Sequence, residues 1–209
     1  MTRDMPMPLY EVRRVTGEPD YAALPVFDIT HFIAGNTGPE TRGQFFLREG
    51  IGFEFVMWCF EEDPRALYHN PNDPVHTDSC MEGFVNYYPE MRELGYLSVE
   101  INANAACHSS FGTGRFTRKF VLERGLQHPR TTVELLSIDG RPAWRARAVI
   151  RLELLEALYG KRDFPSGHKM RANFYKCGDH TDAPHWGTWA KVEKFDFHTP
   201  EYFGELVLA

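Results

Sequence analysis

Between residues 96 and 105 the chain alternates without a break. Leu97, Val99, Ile101, Ala103 and Ala105 fall on one side, and Tyr96, Ser98, Glu100, Asn102 and Asn104 on the other. A period of two is that of a β-strand with one buried face and one polar face. The same alternation recurs at 143–150, where Trp144, Ala146, Ala148 and Ile150 oppose Arg145, Arg147 and Arg151. It recurs again where Met170, Ala172 and Phe174 oppose Arg171, Asn173 and Tyr175. Asp139-Gly140, between 131–138 and 143–150, is a hairpin signal. In Leu152–Tyr159 the apolar residues crowd too closely for alternation, which predicts one short helix. Further strands are predicted at Leu9–Val15 (an edge), 44–48, 52–60, 78–88 and Gly204–Leu208. Many short strands, frequent turns and a single helix predict an all-β, antiparallel β-sandwich, with residues 1–209 forming one domain.

Composition narrows the function classes. A net charge of −6 argues against nucleic acid, which asks for a basic face. No apolar run reaches the roughly 18–20 residues of a membrane helix. The N-terminal residues have no apolar core of a signal peptide, so the expectation is a cytoplasmic protein, or an extracellular one if a leader has been removed. Oligomeric state is not encoded in any of these features. Cys59, Cys80, Cys107 and Cys177 match no zinc spacing and read as buried free thiols.

Three stretches carry candidate chemistry. The first is the set of polar strand faces. Glu82 and Asn86 share a face with Phe84, Glu100 shares one with Asn102, and Asn173 shares one with Tyr175. If these strands are neighbours the faces merge into one surface able to bond sugar hydroxyls; otherwise they are merely solvated. Glu82 and Glu100 could also serve as the carboxyl pair of a glycoside-processing enzyme. The second is the loop at 61–78, where Asp63, Asn72, Asp73 and Asp78 are hard oxygen donors of the kind calcium takes. Beside proline, the same residues are ordinary turn formers. The third is the C-terminal stretch, 168–209, dense in aromatic residues that either close a core or line a recess. Cys177, His180 and His185 within it lack the fourth ligand of a zinc site.

The runs NDPVHTDSCMEGFVNYYPE, YLSVEINANAA and NFYKCGDHTDAPHWGTW, with the ending DFHTPEYFGELVL, together resemble the carbohydrate-binding module family 9-like domain, in its branch of stand-alone bacterial proteins. The resemblance spans about residues 26–208. It implies an immunoglobulin-like or DOMON-like sandwich, a carbohydrate ligand at one end and structural Ca2+ in some members. Members attached to xylanases clamp a terminal sugar ring between two tryptophans. Carried onto this chain, the family's acidic position falls on Glu82, its Arg and Asn positions on Glu100 and Asn102, and its Gln position on or near Tyr175. One clamping tryptophan falls at about Val75 or His76 and the other at Phe197. The clamp is thus not reproduced: either Trp186 and Trp189 take over the stacking, or the ligand differs, or binding is lost. The resemblance implies a non-catalytic carbohydrate-binding protein; a protein-interaction domain on the same fold is the alternative.

Overall fold

The strand at Leu9–Val15 joins the molecule's two sheets. The computed structural model describes residues 7–209. In chain order the strands are β1 (Leu9–Val15), β2 (Phe27–Asp28), β3 (His31–Phe32), β4 (Thr41–Arg48), β5 (Gly52–Cys59), β6 (Cys80–Asn86) and β7 (Tyr96–Asn102). They continue with β8 (Cys107–Gly112), β9 (Lys119–Phe120), β10 (Arg130–Ile138), β11 (Arg141–Arg151), β12 (Lys169–Gly178), β13 (His185–Thr188) and β14 (Gly204–Leu208). Helix α1 (Leu152–Tyr159) lies between β11 and β12.

One sheet runs β10-β11-β5-β4 and the other β14-β12-β6-β7-β8-β9. Leu9–Val12 of β1 pairs in parallel with β14, and Arg13–Val15 pairs in parallel with β4. Two expectations are corrected here. The sandwich is mixed rather than wholly antiparallel, and β1 lies between two strands rather than at an edge. Alternation reveals a strand but not its neighbours, and β14 is nearly the whole chain away from β1.

The inward faces meet in an apolar core. Phe45, Phe53, Phe55, Met57, Trp144 and Ala146 come from one sheet. Met81, Val85, Leu97, Val99, Ile101 and Phe174 come from the other. Burying each large apolar side chain contributes about 1.5–3 kcal/mol. The hairpin between β10 and β11 turns on Asp139 at φ 52° and Gly140 at φ 77°, both left-handed, as a tight two-residue turn requires. Helix α1 begins after Arg151 and stops at Gly160, whose N–H donates to the Glu156 carbonyl.

The largest departure from the sequence reading lies on the outer face of the second sheet. All seven residues of β7 are buried, polar ones included. Two loops fold across that face. Asn102 Nδ2 holds the first, donating to the Tyr68 carbonyl at 2.8 Å and to Asp78 Oδ2 at 2.9 Å. The second is held by Asn173 Nδ2 donating to the Ala190 carbonyl and by the Tyr175 hydroxyl donating to the Phe197 carbonyl, both at 2.9 Å.

Candidate functional site

Register sets the site. Tyr175, Glu82, Glu100 and His108 stand directly opposite one another on β12, β6, β7 and β8, forming one row across four strands. The next row holds Cys177, Cys80 and Asn102. On the other side lie Asn173, Phe84, Ser98 and Ser110. The polar faces do merge into one surface, and the covering loops leave a cavity of about 300 Å³ over it.

The buried residues Glu82 and Cys177 line its floor. Phe197, Trp186 and Phe195 supply rings to its walls. Phe197 lies flat on Tyr175, centroids 4.1 Å apart with 16° between planes. Trp186 meets Phe195 edge-on at 4.7 Å, and its indole N–H donates to Asp179 Oδ1 at 2.6 Å. These contacts fix the rings in place before any ligand arrives.

Polar groups surround the rings. Arg115 donates to Asp196 Oδ1 through Nε at 3.2 Å and Nη2 at 2.8 Å. Arg118 Nη1 lies 2.7 Å from His198 Nδ1 and 3.9 Å from Glu100 Oε1. His198 is also 2.8 Å from the Tyr96 hydroxyl. Burial, then the charges of Arg118 and Arg115, pull the His198 imidazole down to about 2. Glu82 moves the other way: burial, and then the Glu100 charge opposite, raise its carboxyl well above the usual range. Burial pushes the Cys80 thiol up to about 11.

Of the residues singled out in the sequence, Glu82, His76, Phe197, Cys177 and Trp186 line the cavity. Glu100 is one strand over, with Oε1 buried and without a hydrogen-bond partner. Tyr175 is wholly buried behind Phe197 and so backs the wall instead of forming it. Asn102 is spent on loop anchoring; its Oδ1 also accepts from the N–H groups of Asn104 and Ala106. Trp189 is in the core between the sheets, against Tyr10, Phe27 and Phe174, and it does not line the cavity. Of the two tryptophans, only Trp186 lines the cavity.

The proposed calcium donors do not converge. Asp78 Oδ2 accepts from the N–H groups of Leu67 and Tyr68, while Oδ1 lies 3.4 Å from Arg65 Nε. Asp73 Oδ2 accepts from the N–H groups of His69 and Asn70. Asn72 Oδ1 accepts from the Ser109 N–H, and Asp63 is exposed beside a different cleft. Backbone amides occupy Asp78 Oδ2, Asp73 Oδ2 and Asn72 Oδ1, as expected of turn-forming side chains. Cys177 and His185 also part company, since they lie on opposite faces of the sheet. His185 Nε2 meets the buried Lys176 Nζ at 2.8 Å, and Cys177 Sγ lies 2.9 Å from Glu82 Oε1.

Sequence reasoning missed Arg115, Arg118, His108 and Asp179, which come from loops and β8. It also missed the conjunction of Cys80, Glu82 and Cys177. Their parity carried a signal, because Cys80 alternates in step with Glu82 and Cys177 with Tyr175.

A family model described as carbohydrate-binding family 9 matches residues 51–208. Among solved structures, a Bacteroides uniformis protein described provisionally as carbohydrate-binding superposes with a TM-score of 0.78 at 22% identity, over 97% of this chain and 100% of that one. A family 9 carbohydrate-binding module from Caldicellulosiruptor kristjanssonii, in complex with cellotriose, gives a TM-score of 0.63 at 12% identity over 96% of this chain and 93% of its own. A family 9 module from the same organism in complex with glucose gives 0.62 at 12%, covering 95% of each chain. At these identities the likeness is one of fold. No curated protein matches the chain significantly.

Proposed function

The chain belongs to carbohydrate-binding family 9, and from that premise we propose that the cavity over Glu82 holds a single sugar ring and carries out no reaction on it. The observation that carries this reading is a cavity with aromatic walls and a buried carboxyl on its floor. Rings on the walls suit the C–H faces of a pyranose, while Glu82, Asp179, His76 and Arg118 suit its hydroxyls. A volume of about 300 Å³ is at the small end for ligand pockets, which favours one ring over a chain of them. Glucose and cellotriose are the ligands of the Caldicellulosiruptor kristjanssonii modules, and a terminal glucose unit is of the right size and polarity.

The carboxyl arrangement supports binding without catalysis. Glycosidases set two carboxyl groups on either side of the scissile bond. Glu82 and Glu100 stand side by side on neighbouring strands, and only Glu82 reaches the cavity. A hexose has about a dozen heavy atoms; at about 0.3 kcal/mol each the affinity comes to a Kd on the order of 1 mM.

The test is calorimetric titration with glucose, cellobiose, cellotriose and a panel of other glycans. We expect one site per chain and a loss of about tenfold or more in affinity for Trp186→Ala. Silence from every glycan at concentrations ten times that Kd would remove the sugar reading.

A further inference from the structure

We propose that Cys80, Glu82 and Cys177 form a binding site for a Zn2+-class divalent cation at the floor of the cavity. Cys80 and Glu82 share the outer face of β6, and register sets Cys177 of β12 opposite Cys80. The two sulfurs and a carboxylate oxygen all lie within 4.8 Å of one another, and all three residues are buried. Tetrahedral zinc with sulfur at about 2.3 Å and oxygen at about 2.0–2.2 Å needs sulfurs about 3.8 Å apart and sulfur–oxygen pairs about 3.5 Å apart. The donors are therefore near binding geometry without backbone movement. The Cys177 Sγ to Glu82 Oε1 contact, 2.9 Å as a thiol hydrogen bond, has only to open by about 0.6 Å when the metal replaces the proton.

A second observation points the same way. Glu100 Oε1 and His108 Nε2, in the same row as Glu82, are both buried with no hydrogen-bond partner, and they lie 4.0 Å apart. Glu82 and Glu100 thus sit side by side out of water, with the Arg118 guanidinium 3.9 Å from Glu100 as compensating charge. A divalent ion offsets two of the three negative charges that the thiolates and Glu82 carry once deprotonated, an offset this buried row needs with Glu100 alongside.

The donor set selects the metal. Two thiolates favour zinc over calcium or magnesium, and the carboxylate fits zinc's mixed coordination. Three protein ligands leave a fourth position, and it faces the cavity, because Cys177 and Glu82 line that cavity. Ligation changes no oxidation state; the protons of the two thiols and of the Glu82 carboxyl pass to solvent as the metal enters. The assignment stands on these ligands alone and does not depend on the sugar reading.

The experiment uses the full chain in its reduced form, with no sugar present. Zn2+ is titrated against a chromophoric competing chelator, and Co2+ serves as the spectroscopic probe. The expected result is one Zn2+ per chain and a Co2+ spectrum with thiolate charge-transfer and tetrahedral d–d bands. Cys177→Ser and Glu82→Gln should each weaken Zn2+ by about a hundredfold or more, whereas Cys107→Ala, in the core between the sheets, should leave it unchanged. Circular dichroism shows whether each variant folds; if Cys177→Ser does not, the wild-type Co2+ spectrum decides alone. No stoichiometric Zn2+, Co2+ without sulfur charge transfer, a Cys80–Cys177 disulfide in the protein as isolated, or full affinity in folded Cys177→Ser would each overturn the site. Calorimetry with glycans on chelated and Zn2+-loaded protein then reports separately on the sugar.

Discussion

His198 shows how the site is held electrically. Its ring stacks on Phe84 at 4.8 Å, and the guanidinium of Arg118 lies against its nitrogens. It therefore stays neutral in the folded protein down to about pH 2, whereas an unfolded chain takes up the proton below about 6.5. The unfolded state binds more protons between these values, so stability is full above about 6.5 and falls as pH drops through that window. His198→Gln keeps an acceptor and removes the titration. Its unfolding free energy, from urea titrations at several acid pH values, should fall less steeply than that of the wild type, by up to about 1.4 kcal/mol per pH unit. Equal slopes would mean that His198 is not the group responsible. Glu82 was legible at this scale, because a residue type on a strand face is local information; His76 and Phe197, which lie outside the strands, came only from the resemblance. Arg115 and Arg118 were not legible, because only folding brings their loop over the row.

At the level of elements, two buried side chains hold loops in place, and each makes a test. Asn102, matched by resemblance to a sugar-binding position, instead ties the 61–79 loop to β7. Asn102→Ala should cost about 1–3 kcal/mol by leaving buried groups unpaired. Hydrogen exchange should quicken at 66–78, and any loss of sugar binding should follow the loosening of that loop. Normal exchange there together with lost binding would restore Asn102 as a direct ligand. Lys176 is the second. Its Nζ is buried, 2.8 Å from Ser79 Oγ and 2.8 Å from His185 Nε2, and 3.3 Å from Glu61 Oε2. It clasps β12, β13 and both ends of the 61–79 loop at one point. Lys176→Met strands Glu61 without its partner and should destabilise by about 3–5 kcal/mol in urea unfolding. A change under 1 kcal/mol would show that the clasp carries little. The sequence analysis did not single out Lys176, because a lysine reads as exposed until the fold buries it.

For the molecule as a whole, the decisive element is β1. It pairs with β4 and β14 at once, so one strand closes the edges of both sheets. Val12, at the crossing, is fully buried, and its carbonyl accepts from the Ala209 N–H at 2.9 Å. Removal of residues 1–15 exposes two unpaired edges together with the core beneath them. The shortened chain should lose its single cooperative thermal transition, and calorimetry would show this; an unchanged melt would make β1 dispensable.

The sequence by itself determined most of the longer strands, helix α1 and the Asp139-Gly140 turn, because period, crowding and left-handed turn residues act over a few neighbours; β8 and the short strands β2, β3, β9 and β13 were not read from it. It also determined that Glu82, Glu100 and Tyr175 belong to polar strand faces, and its motifs pointed to the family. Tertiary structure alone decided which strands lie side by side, and so which residues share a row. Register is a relation between segments distant along the chain, and no local pattern records it. Only the fold could turn a face that reads as solvated into a buried one, because two loops from elsewhere in the chain lie across it. The same crossing moved Trp189 into the core, left Trp186 at the wall, and gathered two thiols and a carboxyl beneath them.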